Sequence, residues 1–190
     1  MLTFHPIQWL HLWNMVIGYT LFGILVTVSN NIKTFIDHGS VLAGFGSFTT
    51  FAYPATYVYM LIPTISCMIY STILAFDPSP KYKTWLPSKT LRFSIIFFAA
   101  ACFMGALMPA LPGGDVMTDG AALDCLWTDY MQWKIQFNDP ITYPWVTGMD
   151  KACSLLKAAD GLCWILSLGW LAQSVLYMRA VQQAKTFVEK

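Results

Sequence analysis

The sequence predicts an all-α fold, an integral membrane four-helix bundle, from three observations. Hydrophobic residues make up 56% of the 190 residues and charged residues only 11%, which is about half the charged share of ordinary soluble domains. A hydropathy scan finds four uncharged apolar stretches, each close to the roughly 20 residues that a spanning helix needs. The alternating pattern of a membrane barrel does not occur. We therefore interpret residues 1–190 as one membrane domain.

The four predicted spans are separated by residues that commonly end helices. The spans cover about residues 7–28, 53–76, 93–111 and 161–178. Turn-forming residues follow the first three spans: Ser29-Asn30-Asn31, Asp77-Pro78-Ser79-Pro80 and Pro112-Gly113-Gly114. We expect a long outer loop over residues 112–160. We also expect a kink at Pro63 in the second span, because proline cannot donate to the helix ladder.

The positions of Lys and Arg predict which side each loop faces, because basic residues tend to stay in the cytoplasm. Seven of the eleven follow the second span or the fourth: Lys81, Lys83, Lys89, Arg92, Arg179, Lys185 and Lys190. An even number of spans puts these two segments and the N-terminus on one side. We therefore expect cytoplasmic N- and C-termini, and a location in the plasma membrane or secretory pathway.

The five cysteines fall into two classes. Cys67, Cys102 and Cys163 lie in predicted spans, where a thiol usually packs as a small apolar residue. Cys125 and Cys153 lie in the predicted outer loop and face an oxidising compartment, which favours a disulfide between them. Two free thiols are the alternative. The chain has no C-x-x-C motif, which argues against a thiol oxidoreductase or a zinc site.

The predicted outer loop is also rich in aromatic residues. Four of them recur at intervals of three and four: Trp127, Tyr130, Trp133 and Phe137. This spacing predicts a short amphipathic helix lying against the membrane surface. We interpret the four aromatic residues as an interface that anchors the loop there, with a ligand-stacking surface as the alternative.

Small residues in the last two spans predict close helix packing. Ala101 and Gly105 form a small-xxx-small pair in the third span, and Gly161 and Gly169 lie in the fourth. Small side chains let helix backbones approach where lipid removes the hydrophobic drive for association. Polar residues of the first two spans are expected to hydrogen-bond between helices: Gln8, Asn14, Thr56, Thr64, Ser66 and Ser71.

No catalytic, cofactor or metal site is expected. The spans lack the internal charges of transporters, and the chain shows no paired carboxylates of an active site. His5 and His11 are interpreted as interfacial residues, since no histidine occurs in the later spans to complete a haem or metal site. A net charge of +1 gives no nucleic-acid signal. Structural lipids or a sterol are the small molecules that such a bundle accommodates.

One segment carries a family resemblance. It runs from Cys153 to Leu176 and reads CSLLKAADGLCWILSLGWLAQSVL. Together with the four predicted spans, the short cytoplasmic ends and the two outer cysteines, it resembles the MARVEL-domain tetraspans of the fungal type. The likeness covers residues 7–180. It implies a non-enzymatic organiser of membrane domains or vesicle traffic that works through helix packing and lipid contact.

Two functions follow from these expectations. The first is a tetraspan scaffold that acts by self-association, lipid contact or partner binding. The second is an accessory structural subunit of a larger membrane assembly, such as a transporter, synthase or respiratory complex. A homo-oligomer is expected in the first case and a complex with foreign chains in the second.

Overall fold

The computed structural model describes residues 6–43, 55–76, 87–113, 121–126 and 128–188. Over these ranges the chain forms five α-helices: α1 (Pro6–Ala43), α2 (Ala55–Ala75), α3 (Lys89–Leu107), α4 (Thr128–Gln136) and α5 (Pro144–Val188). Two single-turn 3-10 helices, Met108–Ala110 and Ala122–Asp124, lie between α3 and α4. No strand occurs in these ranges, and the predicted all-α class is confirmed.

Helices α1 and α5 form an antiparallel pair along a continuous buried seam. The seam of α1 consists of Ile7, His11, Asn14, Gly18, Leu21, Leu25, Val28, Ile32, Phe35 and Gly39. The seam of α5 consists of Trp145, Met149, Ala152, Leu156, Ala159, Cys163, Leu166, Trp170, Gln173 and Tyr177. In both helices the intervals alternate between four and three residues, which is the heptad spacing of coiled coils. Each seam therefore faces its partner for nearly the whole length of the helix.

The two paired helices are longer than predicted. They contain 38 and 45 residues, or roughly 57 and 68 Å at about 1.5 Å per residue, which is about twice a hydrocarbon core of about 30 Å. The prediction that Ser29-Asn30-Asn31 ends the first helix was wrong, because Ile32 and Phe35 continue the buried seam. The outer loop predicted for 112–160 is likewise helical from Pro144, whose fixed φ suits a first helical residue.

Helices α2 and α3 complete a four-helix arrangement. Helix α2 packs on α1, α3 packs on α5, and α2 and α3 contact each other. The sulfur atoms of Cys67 and Cys102 lie 3.2 Å apart at the α2–α3 contact. The thiol of Cys163 lies 3.5 Å from the Cys102 carbonyl oxygen. The four helices thus lie side by side over the stretches predicted as spans, and the remaining parts of α1 and α5 project beyond them.

Three helical segments are long and apolar enough to cross a membrane. They are Pro6–Gly39, Lys89–Ala110 and Pro144–Ala184, and each contains an 18-residue stretch whose mean hydropathy is 1.6, 2.0 and 1.4, respectively. Helix α2 contributes a shorter apolar stretch, Tyr59–Ala75. These lengths and compositions are those of a membrane protein.

Candidate functional site

The projecting parts of α1 and α5, together with α4, form what we call the outer head (residues 29–43, 121–126 and 128–160). Its centre is an aromatic cluster of one residue from α1, two from α4 and one from α5: Phe35, Tyr130, Trp133 and Trp145. The Phe35 ring lies 4.8 Å from the ring of Trp133, 5.4 Å from Trp145 and 5.8 Å from Tyr130, centroid to centroid. Such contacts add to the burial of large apolar surfaces, so the cluster fixes α4 against the α1–α5 pair.

Gly39 makes this arrangement sterically feasible. A Cβ atom built on Gly39 would lie 1.5 Å from Cζ3 of Trp133, inside the indole ring. The indole therefore lies directly on the bare backbone of α1. Gly39 is also the last seam position of α1, so the heptad spacing continues into the outer head.

The predicted short helix exists as α4, but its aromatic residues face the protein. Tyr130 and Trp133 are each only 4% exposed, so they are core residues, and the interpretation that they anchor on the membrane surface was wrong. Phe137 lies just after α4 and packs on Tyr143 and Trp145, at 5.0 and 5.5 Å. Trp127 lies outside the described residues. A protein core accepts the apolar face of an amphipathic helix as readily as a membrane surface does, and spacing alone does not distinguish them.

A polar contact joins α4 to α5 at the edge of the aromatic cluster. The Tyr130 hydroxyl donates to Asp150, and the Lys134 ammonium donates to the same carboxylate oxygen at 2.7 Å. The bond to Asp150 raises the pKa of Lys134, and burial raises that of the Tyr130 phenol. About half of each side chain in the Lys134–Asp150 pair is exposed. Exposed pairs of this kind contribute little stability, so the contact orients α4 more than it holds it.

The predicted disulfide is present in the structure. Cys125 and Cys153 are joined at an S–S distance of 2.04 Å. The bond ties the segment before α4 to the N-terminal part of α5. Cys125 has φ of 57°, a left-handed conformation that is uncommon for a residue other than glycine. The disulfide therefore holds the segment that precedes α4 against α5.

The glycines that were predicted to mediate packing differ in their surroundings. A Cβ on Gly169 would lie 2.0 Å from Asn14 Oδ1, so α1 and α5 approach closely there. Gly161 is exposed, and a Cβ there would meet nothing within 4 Å. The packing prediction for Gly161 was therefore wrong. It lies midway between the seam residues Ala159 and Cys163, on the side of α5 away from α1.

Gly105 and Pro63 meet at the contact between α3 and α2. Helix α2 continues through Pro63, whose missing N–H leaves the Tyr59 carbonyl without its helical donor. A Cβ on Gly105 would lie 3.0 Å from that carbonyl oxygen and 3.4 Å from the proline ring. Gly105 thus lets the α3 backbone approach the free carbonyl.

The hydroxyl groups of α2 have a different role from the one predicted. Thr64 and Ser66 donate to carbonyl oxygens of their own helix, those of Met60 at 2.6 Å and Ile62 at 3.0 Å. Ser71 donates to Met68 in the same way, at 3.2 Å. These bonds satisfy the hydroxyls within α2, so they do not link helices as expected.

An internal polar cluster between α1 and α5 was not predicted. It consists of His11, Asn14, Gln173 and Tyr177, with His11, Asn14 and Gln173 fully buried. Gln173 Nε2 lies 2.6 Å from His11 Nδ1, and His11 Nε2 lies 2.9 Å from the Tyr177 hydroxyl. Because an amide nitrogen only donates, Nδ1 accepts and the neutral ring carries its proton on Nε2. The interpretation of His11 as an interfacial residue was therefore wrong.

The seam positions give the internal polar cluster a structural role. His11 and Asn14 occupy consecutive seam positions of α1, and Gln173 and Tyr177 occupy consecutive seam positions of α5. Polar residues at such positions specify register, because a shifted pairing would separate their hydrogen-bonding groups. Asn14 packs on Gly169, and neither atom of its amide has a hydrogen-bond partner among the described residues. The predicted bond between helices is therefore absent for Asn14.

Two grooves open on the surface of the described structure. The first lies between α2 and α3, encloses about 390 Å³ and has almost entirely apolar walls, among them Pro63, Phe97, Ala101 and Gly105. The second lies on the outer head beside His38, encloses about 590 Å³ and has a more polar lining. Ala101, which was predicted to mediate helix packing, thus lines the groove between α2 and α3.

The described residues contain no group of three or more His, Cys, Asp or Glu side chains placed to hold a metal ion. Comparisons with protein-family models, with curated proteins and with solved structures return no match. The described residues thus present a helical bundle with apolar surfaces and the outer head as the features on which a function can be built.

Proposed function

We propose that the protein is a four-span membrane organiser of the MARVEL-like type, which acts by self-association, lipid contact or partner binding. One observation carries this proposal: large apolar side chains lie on the outward surfaces of the bundle helices. Ile62 of α2, Phe97 of α3 and Leu168 of α5 are 63%, 57% and 61% exposed. In water such surfaces would be costly, whereas lipid tails and neighbouring spans accept them.

The four-span topology follows from combining the helices with the charges. Helix α2 has 21 residues, about the length that crosses a hydrocarbon core, and it packs beside the other three apolar helices of the bundle. The basic residues between α2 and α3 then lie with both termini on the cytoplasmic side. The outer head faces the opposite compartment, where its disulfide is stable.

The apolar groove between α2 and α3 supports a role in lipid contact. Its walls include Pro63, Phe97 and Gly105, and hydrocarbon has no polar group that such walls would need to satisfy. A bilayer leaves no empty space beside a span, so a lipid tail or sterol fills the groove unless another helix covers it. An organiser that selects its lipid surroundings would use such a surface.

The second candidate function, an accessory subunit of a larger membrane assembly, is favoured by the surface of the outer head. Ile135 on α4 and Ile141 in the turn before α5 are 78% and 90% exposed. Both residues belong to the outer head, which the proposed topology places outside the lipid. Exposed apolar side chains in water commonly mark contacts with another protein.

Native mass measurement in a gentle detergent distinguishes the two functions. The full chain is extracted from its own membranes under conditions that keep weak complexes intact. An organiser that self-associates gives whole-number multiples of its own mass, with lipid attached. An accessory subunit instead carries chains of other sequence.

Two matched variants locate the contact. Ile135→Ser removes an exposed apolar side chain of the outer head, and Leu168→Ser removes one from the bundle surface. Loss of self-association with Leu168→Ser alone supports assembly through the spans. A monomer without attached lipid or partner in the unmodified protein would exclude both functions.

A further inference from the structure

A small cavity lies where α3 begins and α5 leaves the bundle. It encloses about 110 Å³ and is lined by Arg92 and Ile96 of α3 and by Ser174, Tyr177 and Met178 of α5. We call it the Arg92 cavity. It lies at the end of the bundle where α1 begins, next to the internal polar cluster.

Arg92 is the charged residue of this cavity. Its Nε atom is buried and has no hydrogen-bond partner among the described residues. The Arg92 side chain as a whole is partly buried. A donor N–H withdrawn from water without an acceptor costs free energy, and an anion satisfies the donors of an arginine well. None of the other lining residues is acidic. The structure thus presents a cation whose described surroundings supply no counter-charge.

The rest of the cavity is suited to a compact anion. Tyr177 forms one wall, and its position is fixed by the 2.9 Å hydrogen bond to His11. Ile96 and Met178 supply apolar walls beside the guanidinium. The volume equals that of about three or four water molecules. It therefore admits a phosphate group and leaves a bulky headgroup substituent outside.

The depth of Arg92 identifies the source of the anion. Arg92 lies in the first turn of α3, directly before the uncharged stretch from Phe93 onwards. In a membrane protein this is the level at which the apolar core meets the headgroups, and basic pockets between helices on the cytoplasmic side recognise lipid headgroups. Lys89, three residues earlier, is exposed on the same side of the helix and adds positive charge.

We propose that the Arg92 cavity binds the phosphate group of an anionic phospholipid of the cytoplasmic leaflet. This inference rests on the proposed membrane topology. The Arg92 guanidinium donates to the phosphate oxygens, and the net negative charge of the lipid compensates the partly buried cation. The bound lipid bridges α3 and α5 at their cytoplasmic ends, beside the internal polar cluster that joins α5 to α1.

The test measures lipid retention by native mass spectrometry of the full chain. The protein is reconstituted with equal amounts of phosphatidylglycerol and phosphatidylcholine and then transferred to detergent. We expect preferential retention of phosphatidylglycerol. Arg92→Gln should reduce it by at least about tenfold, the loss expected for a hydrogen bond to a charged group. Arg92→Lys, which keeps the charge but not the planar donors, should lose roughly threefold.

Arg179→Gln is the matched control, because it removes the same charge from an exposed position of α5 near the same end of the bundle. It should change retention by less than about twofold. Inorganic phosphate in the transfer buffer should not displace the lipid. Displacement at millimolar concentration would show a site for free anions and overturn the assignment to lipid.

Two further outcomes would overturn the inference. Equal retention in Arg92→Gln and the unmodified protein would show that the Arg92 cavity holds only water. Asp77, which lies outside the described residues, is tested with Asp77→Asn. A gain of lipid in that variant, with none retained by the unmodified protein, would identify Asp77 as the counter-charge. Extraction of the chain from membranes by alkaline carbonate would instead refute the proposed membrane function. Loss of the lipid site with the chain still in the membrane would refute only the inference about the Arg92 cavity.

Discussion

Replacing Gly169 by alanine tests the close contact between α1 and α5. The added Cβ would lie 2.0 Å from Asn14 Oδ1 and 3.0 Å from Asn14 Cγ. Asn14 is fully buried, so its amide can move aside only by repacking within the contact between α1 and α5. Overpacking of this kind costs about 1–3 kcal/mol. Alanine also favours the helix over glycine by about 0.8–1 kcal/mol, which offsets part of the loss.

Gly161→Ala separates these two contributions. Gly161 lies in the same helix and is exposed, with nothing within 4 Å of an added Cβ. It therefore reports helix propensity alone, and we expect stabilisation of up to about 1 kcal/mol. The difference between the two variants isolates the overpacking cost of about 1–3 kcal/mol at Gly169.

Unfolding in mixed detergent micelles, followed by helical circular dichroism, gives the free energies. Asn14→Ala completes a double-mutant cycle, because it removes the side chain that the new methyl group would strike. We expect Gly169→Ala to be tolerated in the Asn14→Ala background, with a coupling energy of about 1–3 kcal/mol. Equal effects of alanine at positions 161 and 169, or additive effects with Asn14→Ala, would refute the proposed contact.

Three further predictions concern the other contacts. Gly105→Leu should destabilise the bundle by about 1–3 kcal/mol, because even its Cβ would lie 3.0 Å from the Tyr59 carbonyl oxygen; an unchanged melting temperature would mean that α2 and α3 do not approach there. Cys125→Ser should leave the chain inserted but speed proteolysis of the outer head, since a crosslink between residues 28 apart contributes about 3 kcal/mol; peptide mapping that recovers both native thiols free would reject the bond. Cys67 and Cys102, fully or almost fully buried, should resist alkylation until the protein is denatured, and rapid labelling of the native protein would contradict their burial.

Hydropathy predicted which parts of the chain pack side by side in the four-helix bundle. It did not predict where the long helices α1 and α5 begin and end. The four predicted spans coincide with the part of the chain where α1, α2, α3 and α5 lie side by side. Average hydropathy falls after Val28, whereas α1 continues to Ala43, because Ile32 and Phe35 still occupy seam positions. The seam depends on the spacing of the buried residues along the helix. A hydropathy averaged over a run of residues does not record that spacing. The alternation of four and three residues is present in the sequence and is typical of helices that pack along one seam.

The same spacing explains which site residues the sequence misjudged. Gly161 lies opposite the α5 seam and is exposed, whereas Gly169 lies beside the seam residue Trp170 and meets Asn14. Counting small residues treats the two glycines alike. His11 has a seam position as well, yet a search for metal ligands considers only other histidines and overlooks Gln173.

Two features of the outer head were predicted from the sequence: the disulfide and the short helix α4. The pairing of Cys125 with Cys153 was predicted from an expected oxidising compartment and from the number of cysteines outside the predicted spans. The short helix α4 follows from aromatic spacing. Helix α4 packs on the part of α1 that extends beyond the first predicted span. Because that extension was not predicted, the surface that α4 covers was not predicted either.

Mapping the sidedness of three tags tests the four-span topology most directly. Epitope tags are inserted at Lys83, at the exposed Asp139 of the outer head and at the C-terminus, and each is exposed to protease in sealed vesicles. From the cytoplasmic side, protease should remove the tags at Lys83 and the C-terminus, while the tag at Asp139 survives until the vesicles are opened. Removal of the Asp139 tag together with the Lys83 tag would contradict the account, because the outer head would then share a side with the basic segment.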